Sequence, residues 1–325
     1  MRQKLGQFRA VPRFAIALGL VGWIVRSVDI SSVSRAIRTA ETAQLCFGIT
    51  VLLAAAASTV FRLRALVGPG LSIGECGRIT VVNYFLSQVL PGGAIGGDAY
   101  RAIRLKRTSR SWPGVLTLIT IERVIGASLI LLPAIFLAIR AGVFEGRATS
   151  FSGVGLALED RRAWIAGSIA IAALALLGVF AACHGTSRLT VWVQEVLTTA
   201  KDVSPQRYGI VFSLSALFHL LRLAGFLLLI DSLHSHIEVG EVVIVLALNV
   251  VASSLPISVG SLGVKEGTTV IGLAAFGVPT TTGLAVAVLD RLVLIFVGIV
   301  GGLVFWQDLR TPGTATPANA GREAE

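Results

Sequence analysis

The sequence predicts an all-α integral membrane protein: about six spanning helices plus two re-entrant or broken helical elements, arranged as an inverted-topology internal repeat. Three observations carry that prediction. Apolar residues make up 54% of the 325-residue chain against 14% charged, with a mean hydropathy of +0.81, whereas soluble domains carry about 25% charged residues. Apolar runs long enough to cross a hydrocarbon layer of ~30 Å recur along the chain. An acid–arginine doublet inside an apolar run occurs twice, each time 24 residues after an acid that follows a Pro/Gly-rich break. The first copy runs from Asp98 to Glu122-Arg123 and the second from Glu266 to Asp290-Arg291.

Taken in order, Arg2, Lys4, Arg9 and Arg13 precede the apolar run 14–25, and Arg26 stands where a cleavable leader would have small residues. This predicts an uncleaved first span over about 12–28. Further spans are expected at about 42–61, 113–139, 163–183, 208–230 and 281–306. Two other apolar segments, 79–97 and 242–276, are interrupted by Pro91 with Gly92, Gly93, Gly96 and Gly97, and by Pro256 with Gly260 and Gly263. Broken backbone at membrane depth is tolerated only where protein or a water-filled cavity satisfies its polar groups. Both segments are therefore read as re-entrant or discontinuous helices. With both termini inside, cytoplasmic segments hold 17 of the 28 Lys and Arg residues and outer segments 8; Arg123, Arg222 and Arg291 fall within spans. That bias favours the N-in, C-in arrangement.

Three crossings separate the two broken elements, so the copies enter from opposite faces, an arrangement that sets transporter sites near the midplane. Glu122 and Asp290 each fall about nine residues into their helices, roughly 14 Å deep. The expected organisation is one membrane domain, 1–306, with repeat halves near 62–140 and 231–306. The tail 307–325, with Pro312, Gly313 and Pro317, reads as disordered and cytoplasmic.

Composition and motifs exclude several function classes. Cys46, Cys76 and Cys183 are widely spaced with no CxxC, which indicates neither a disulfide framework nor a zinc site. The formal charge of +10 fits cytoplasmic loops and anionic lipid better than nucleic acid. HExxH, GxSxG, GxxxxGK and dense aspartate motifs are all missing from the sequence, so no enzyme is expected and no cofactor, ATP or metal is implied.

Ionisable residues inside a bilayer are costly, which makes the doublets the first candidates for a site. Adjacent residues point about 100° apart on a helix, so the expected pairing is across the repeat, Glu122 with Arg291 and Asp290 with Arg123. These charges either hold a polar headgroup or lock the two halves together; both readings stay open. Gly93, Gly96 and Gly97 leave backbone N–H groups free, and a helix starting near Asp98 would offer them to an anion. Asn83 is placed to satisfy exposed carbonyls, Pro91 removes a donor, and Asn249, Pro256, Gly263 and Glu266 are the counterparts in the second copy. The basic loop 98–112, including Arg101, either recruits anionic lipid or simply marks the inner face. His219 and Arg222, three apart on one helical face, either line a polar cavity or meet a local partner.

The string Asn83-Tyr84-Phe85-Leu86 … Leu90-Pro91-Gly92-Gly93 … Gly96-Gly97-Asp98 … Arg101 resembles the signature of the lysylphosphatidylglycerol synthase transmembrane-region, or flippase-like, family. Leu255-Pro256 … Gly260 … Gly263 … Glu266, followed by Arg291, is similar to its second signature, with Ile257-Ser258 where the first copy has Gly-Gly. The resemblance covers about 10–306. It implies a protein of the bacterial or archaeal plasma membrane that handles lipid. In two-part members this region resembles the portion that moves aminoacylated lipid between leaflets, while a soluble domain, missing from this sequence, carries synthase activity. The expected function is binding and translocation of a phospholipid, aminoacylated phospholipid or isoprenoid- or hopanoid-type lipid. The alternatives are a membrane scaffold for an envelope-lipid or glycosyl-transfer enzyme, and a small-solute secondary transporter. The expected partners are membrane lipids and such an enzyme.

Overall fold

The computed structural model describes residues 30–90, 94–107, 111–140, 203–254 and 261–310. The expected spans 12–28 and 163–183, residues 311–325 of the expected tail, and Pro91, Gly92, Gly93 and Pro256 lie outside them; residues 307–310, expected as the start of a disordered tail, are instead the last turn of a helix. Nine helices occupy the described residues: α1 Ile30–Thr39, α2 Thr42–Val67, α3 Ile73–Val89, α4 Ala94–Lys106, α5 Trp112–Arg140, α6 Pro205–Ser232, α7 Val239–Ser254, α8 Val264–Ala275 and α9 Thr280–Arg310. Four of these, α2, α5, α6 and α9, are long and apolar enough to cross a membrane. The protein is an all-α integral membrane protein.

Local chemistry sets the breaks. α3 opens with a capping box, in which the Ser72 hydroxyl accepts from the Glu75 N–H and the Ser72 N–H donates to the Glu75 carboxylate at 2.8 Å. It closes at Leu90, whose extended backbone (φ −81°, ψ 142°) is what a residue before proline is pushed towards. The chain resumes as helix at Ala94, a turn earlier than expected, because the charged stretch 98–106 is helix rather than loop. Asp98 therefore lies on the second turn of α4 and not at its N-terminus. In the second copy Gly263 stands at φ +80°, a conformation that favours glycine. Its N–H donates to Glu266 Oε2 at 2.7 Å, closing the first turn of α8.

The helices form two sets with the same order, long, short, break, short, long: α2–α5 and α6–α9. Exchanging the sets leaves the packing pattern unchanged. α3 packs on α9 as α7 packs on α5; α4 packs on α5 as α8 packs on α9; α5 touches α6 as α9 touches α2. The equivalent helices α2 and α6 form the most extensive contact and run antiparallel. Gly48 packs against Gly225 towards one end, and Gly68 meets the Arg207 guanidinium at the other. Small residues at this crossing let the backbones approach where lipid provides no hydrophobic drive for helix association. Many of the large side chains left exposed along the long helices are apolar, Leu132, Phe136, Leu220, Phe296 and Leu303 among them. The most extensive group of buried apolar residues among those described lies where α6–α9 meet, with Phe226, Leu229, Val242, Val245, Leu273 and Ala285 fully or almost fully buried. A smaller cluster of Leu63, Cys76, Ile79, Leu105 and Val115 holds α2 to α5 together.

Candidate functional site

Each short helix that follows a break carries its charged residues to the long helix of its own set. In the first set, Asp98 on α4 meets Arg123 on α5 through Asp98 Oδ2, which accepts from Arg123 Nη2 at 2.6 Å and Nε at 3.1 Å. Glu122, 5% exposed, is held by Arg101 from α4 and by Arg62 from α2, the latter at 2.7 Å. In the second set, Arg291 on α9 donates to Glu266 on α8. Asp290, 4% exposed, is held by Lys265 from α8 at 2.9 Å and by Arg222 from α6 at 3.2 Å.

The expected cross-pairing of Glu122 with Arg291 and Asp290 with Arg123 is thus corrected: each doublet pairs within its own set. The reason is local. α4 lies along α5 and α8 along α9, which brings an acid 25 residues upstream to each doublet arginine. The reading of 98–112 as a basic surface loop is corrected too, since Arg101 is on α4 and 7% exposed.

The two clusters correspond role by role. Arg62 and Arg222 each reach in from the first helix of their set, and each also lies over a phenyl ring, Arg62 on Phe218 at 5.3 Å and Arg222 on Phe226 at 5.2 Å. Asp98 matches Glu266, Glu122 matches Asp290, and Arg123 matches Arg291. Arg101 follows its acid by three positions and Lys265 precedes its acid by one. Those offsets differ by four residues, so both bases project from the same helical face, one turn apart. α6 joins the clusters. Phe218 touches Arg62, the His219 Nε2 lies 2.8 Å from the Gly126 carbonyl of α5, and Arg222 reaches Asp290. Four residues of helix separate Phe218 from Arg222, a rise of about 6 Å.

Of the other expected residues, Asn83 and Gly97 sit at the α3–α4 contact. A Cβ on Gly97 would run into the Asn83 and Ser87 side chains, and one on Gly96 would come within 2.7 Å of Leu90. Asn249, 3% exposed, donates to Thr269 at 3.0 Å and ties α7 to α8.

A family model described as the lysylphosphatidylglycerol synthase TM region matches residues 11–302. The chain belongs to this family. No curated protein and no solved structure matches it. In this family member the matched region contains both clusters entire. It includes two bases that sequence reasoning passed over, Arg62 and Lys265. Arg62 falls just beyond the expected span 42–61, where the apolar run ends at Phe61, whereas the helix continues to Val67. Lys265 had a usable signal: Lys265-Glu266 precedes Asp290-Arg291 by a constant 25 residues, base to acid and acid to base.

Proposed function

We propose that this member of the lysylphosphatidylglycerol synthase transmembrane-region family binds a lipid headgroup at the two charged clusters and moves the lipid between leaflets of a bacterial or archaeal plasma membrane. The observation that carries this reading is Arg123. Its side chain is 55% exposed and stands eleven residues from the start of α5, about 16 Å along the helix axis. Away from the terminal turns of the long helices the other exposed large side chains are apolar, and a charge at that depth demands water or a headgroup rather than hydrocarbon. The equivalent Arg291 is 13% exposed. One cluster is therefore open while its counterpart is closed, an asymmetry that suits a site reached from one face at a time. In this reading the two sets are inverted in the membrane, with both termini cytoplasmic, and Arg123, Arg291 and the glycine-rich breaks face the headgroup.

The test is translocation of fluorescent phospholipids in proteoliposomes, read by dithionite quenching of the outer leaflet. Wild type should move lipid at a headgroup-dependent rate, and Arg123→Ala should slow that movement by at least about tenfold, the loss of one charge-assisted hydrogen bond. Equal rates would make the Asp98–Arg123 pair structural. No movement of any lipid by folded wild type would defeat the transport reading and favour a scaffold for an envelope-lipid enzyme.

A further inference from the structure

The first cluster holds three cations, Arg62, Arg101 and Arg123, against two carboxylates, Asp98 and Glu122. Its surplus is one positive charge, set deep in an apolar helix bundle. Hydrogen bonding is incomplete in the same place. Among the described residues, the Nε–H groups of Arg62 and Arg101 are buried without an acceptor and Asp98 Oδ1 is buried without a donor. Arg101 is 7% exposed, so its spare donor is not turned to bulk water. Buried polar groups left unpaired are expensive, the more so when charged.

The missing occupant is thus specified by chemistry: one negative charge, oxygens to accept from guanidinium N–H groups, and one hydrogen to donate to a carboxylate. A phosphodiester supplies the charge and the oxygens, and Arg matches phosphate geometry closely. A neighbouring hydroxyl supplies the donor without adding charge. An ammonium would also satisfy Asp98, but its positive charge would leave the surplus in place.

We propose that the Arg62–Arg101–Arg123 cluster takes an anionic phosphodiester headgroup bearing hydroxyls rather than an amine, with phosphate on the arginines and a hydroxyl on Asp98. This rests on the reading of that cluster as a headgroup site and narrows its substrate class.

The test is selectivity of lipid association, independent of transport. The protein is reconstituted in phosphatidylcholine, and the motionally restricted fraction of spin-labelled phosphatidylglycerol, phosphatidylethanolamine and phosphatidylcholine is measured. Phosphatidylglycerol should associate more strongly than the other two by about tenfold. Arg101→Gln, which removes the surplus charge, should abolish that preference. Asp98→Asn, which keeps an acceptor oxygen but raises the surplus, should strengthen it. A folding defect would weaken both variants alike, so the opposed signs distinguish the cause. Equal association of all three lipids, or stronger association of phosphatidylethanolamine, would overturn the proposal. Full displacement by inorganic phosphate would assign the site to a soluble anion and overturn the lipid assignment. An intact preference with no translocation would leave this inference standing and remove the transport reading; translocation without the preference would do the reverse.

Discussion

At the scale of single residues, equivalent positions in the two clusters live in different surroundings, and that decides what each contributes. Glu266 is 14% exposed and its partner Arg291 13%, so Arg291→Ala strands a buried carboxylate, which costs about 3 kcal/mol. Arg123 is 55% exposed and its partner Asp98 21%, so truncating Arg123 leaves a carboxylate that water reaches more easily and should cost less, about 1 kcal/mol. Thermal unfolding in detergent micelles should rank Arg291→Ala well below Arg123→Ala, whose melting temperature should stay near that of wild type; equal losses would contradict the open-and-closed asymmetry. The acid–arginine doublets were legible in the sequence because charges stand out in apolar runs. Their partners were not. A repeat in sequence does not say whether charges pair across it or within it; that depends on which helix the break folds back onto.

At the scale of helices, the positions of the two breaks were readable from Pro91 and Pro256 with their glycines, and the lengths of the helices around them were not. Charged side chains made 98–112 look like a loop, yet Asp98 and Arg101 are three apart on one face of α4, which turns towards α5. Charge excludes a segment from helix only where no countercharge awaits it. The α3–α4 contact depends on Gly97 having no side chain. Gly97→Ala would force Asn83 and Ser87 away and should destabilise by about 1–3 kcal/mol. Gly209, in an exposed part of α6 with no atom within 4 Å of a Cβ, is the matched control. Alanine there should stabilise by up to about 1 kcal/mol through helix propensity.

The start of α3 gives a pH-dependent prediction. The backbone N–H and the hydroxyl of Ser72 hold the Glu75 carboxyl below its ordinary value of 4.5. A depressed carboxylate stabilises the fold above its unfolded pKa and loses that contribution as pH falls through the folded value. Ser72→Ala should cost about 1 kcal/mol at neutral pH. The gap to wild type should narrow as acidification from pH 5 downwards protonates Glu75, and an unchanged gap in melting temperature across that range would separate the cap from the carboxylate.

For the whole molecule, the antiparallel contact of α2 with α6 has a consequence for topology. These helices occupy the same place in their two sets, and they cross with Gly48 beside Gly225 and Gly68 beside Arg207. Two equivalent antiparallel helices are related by an axis perpendicular to both, and if both span the bilayer that axis lies in the membrane plane. The remaining helices must obey the same relation, so α5 and α9 should begin on opposite faces. Glu122 and Asp290 are each the eleventh residue of their helix, about 15 Å along it, which from opposite faces brings both near the middle of a ~30 Å layer. The inverted arrangement thus brings the two carboxylates to the midplane from opposite faces, where α6 touches both clusters within about one turn. With Cys46, Cys76 and Cys183 replaced, single cysteines at the exposed positions Ser111 and Thr280 should react with a membrane-impermeant maleimide from opposite sides. The lysine and arginine bias assigns Ser111 to the cytoplasmic side, so Ser111→Cys should label only in inside-out vesicles and Thr280→Cys in intact cells. Labelling of both from one side would place the two carboxylates at the same distance from a single face. The sets would then be stacked in parallel, and alternate opening of the two clusters to opposite faces would have no structural basis.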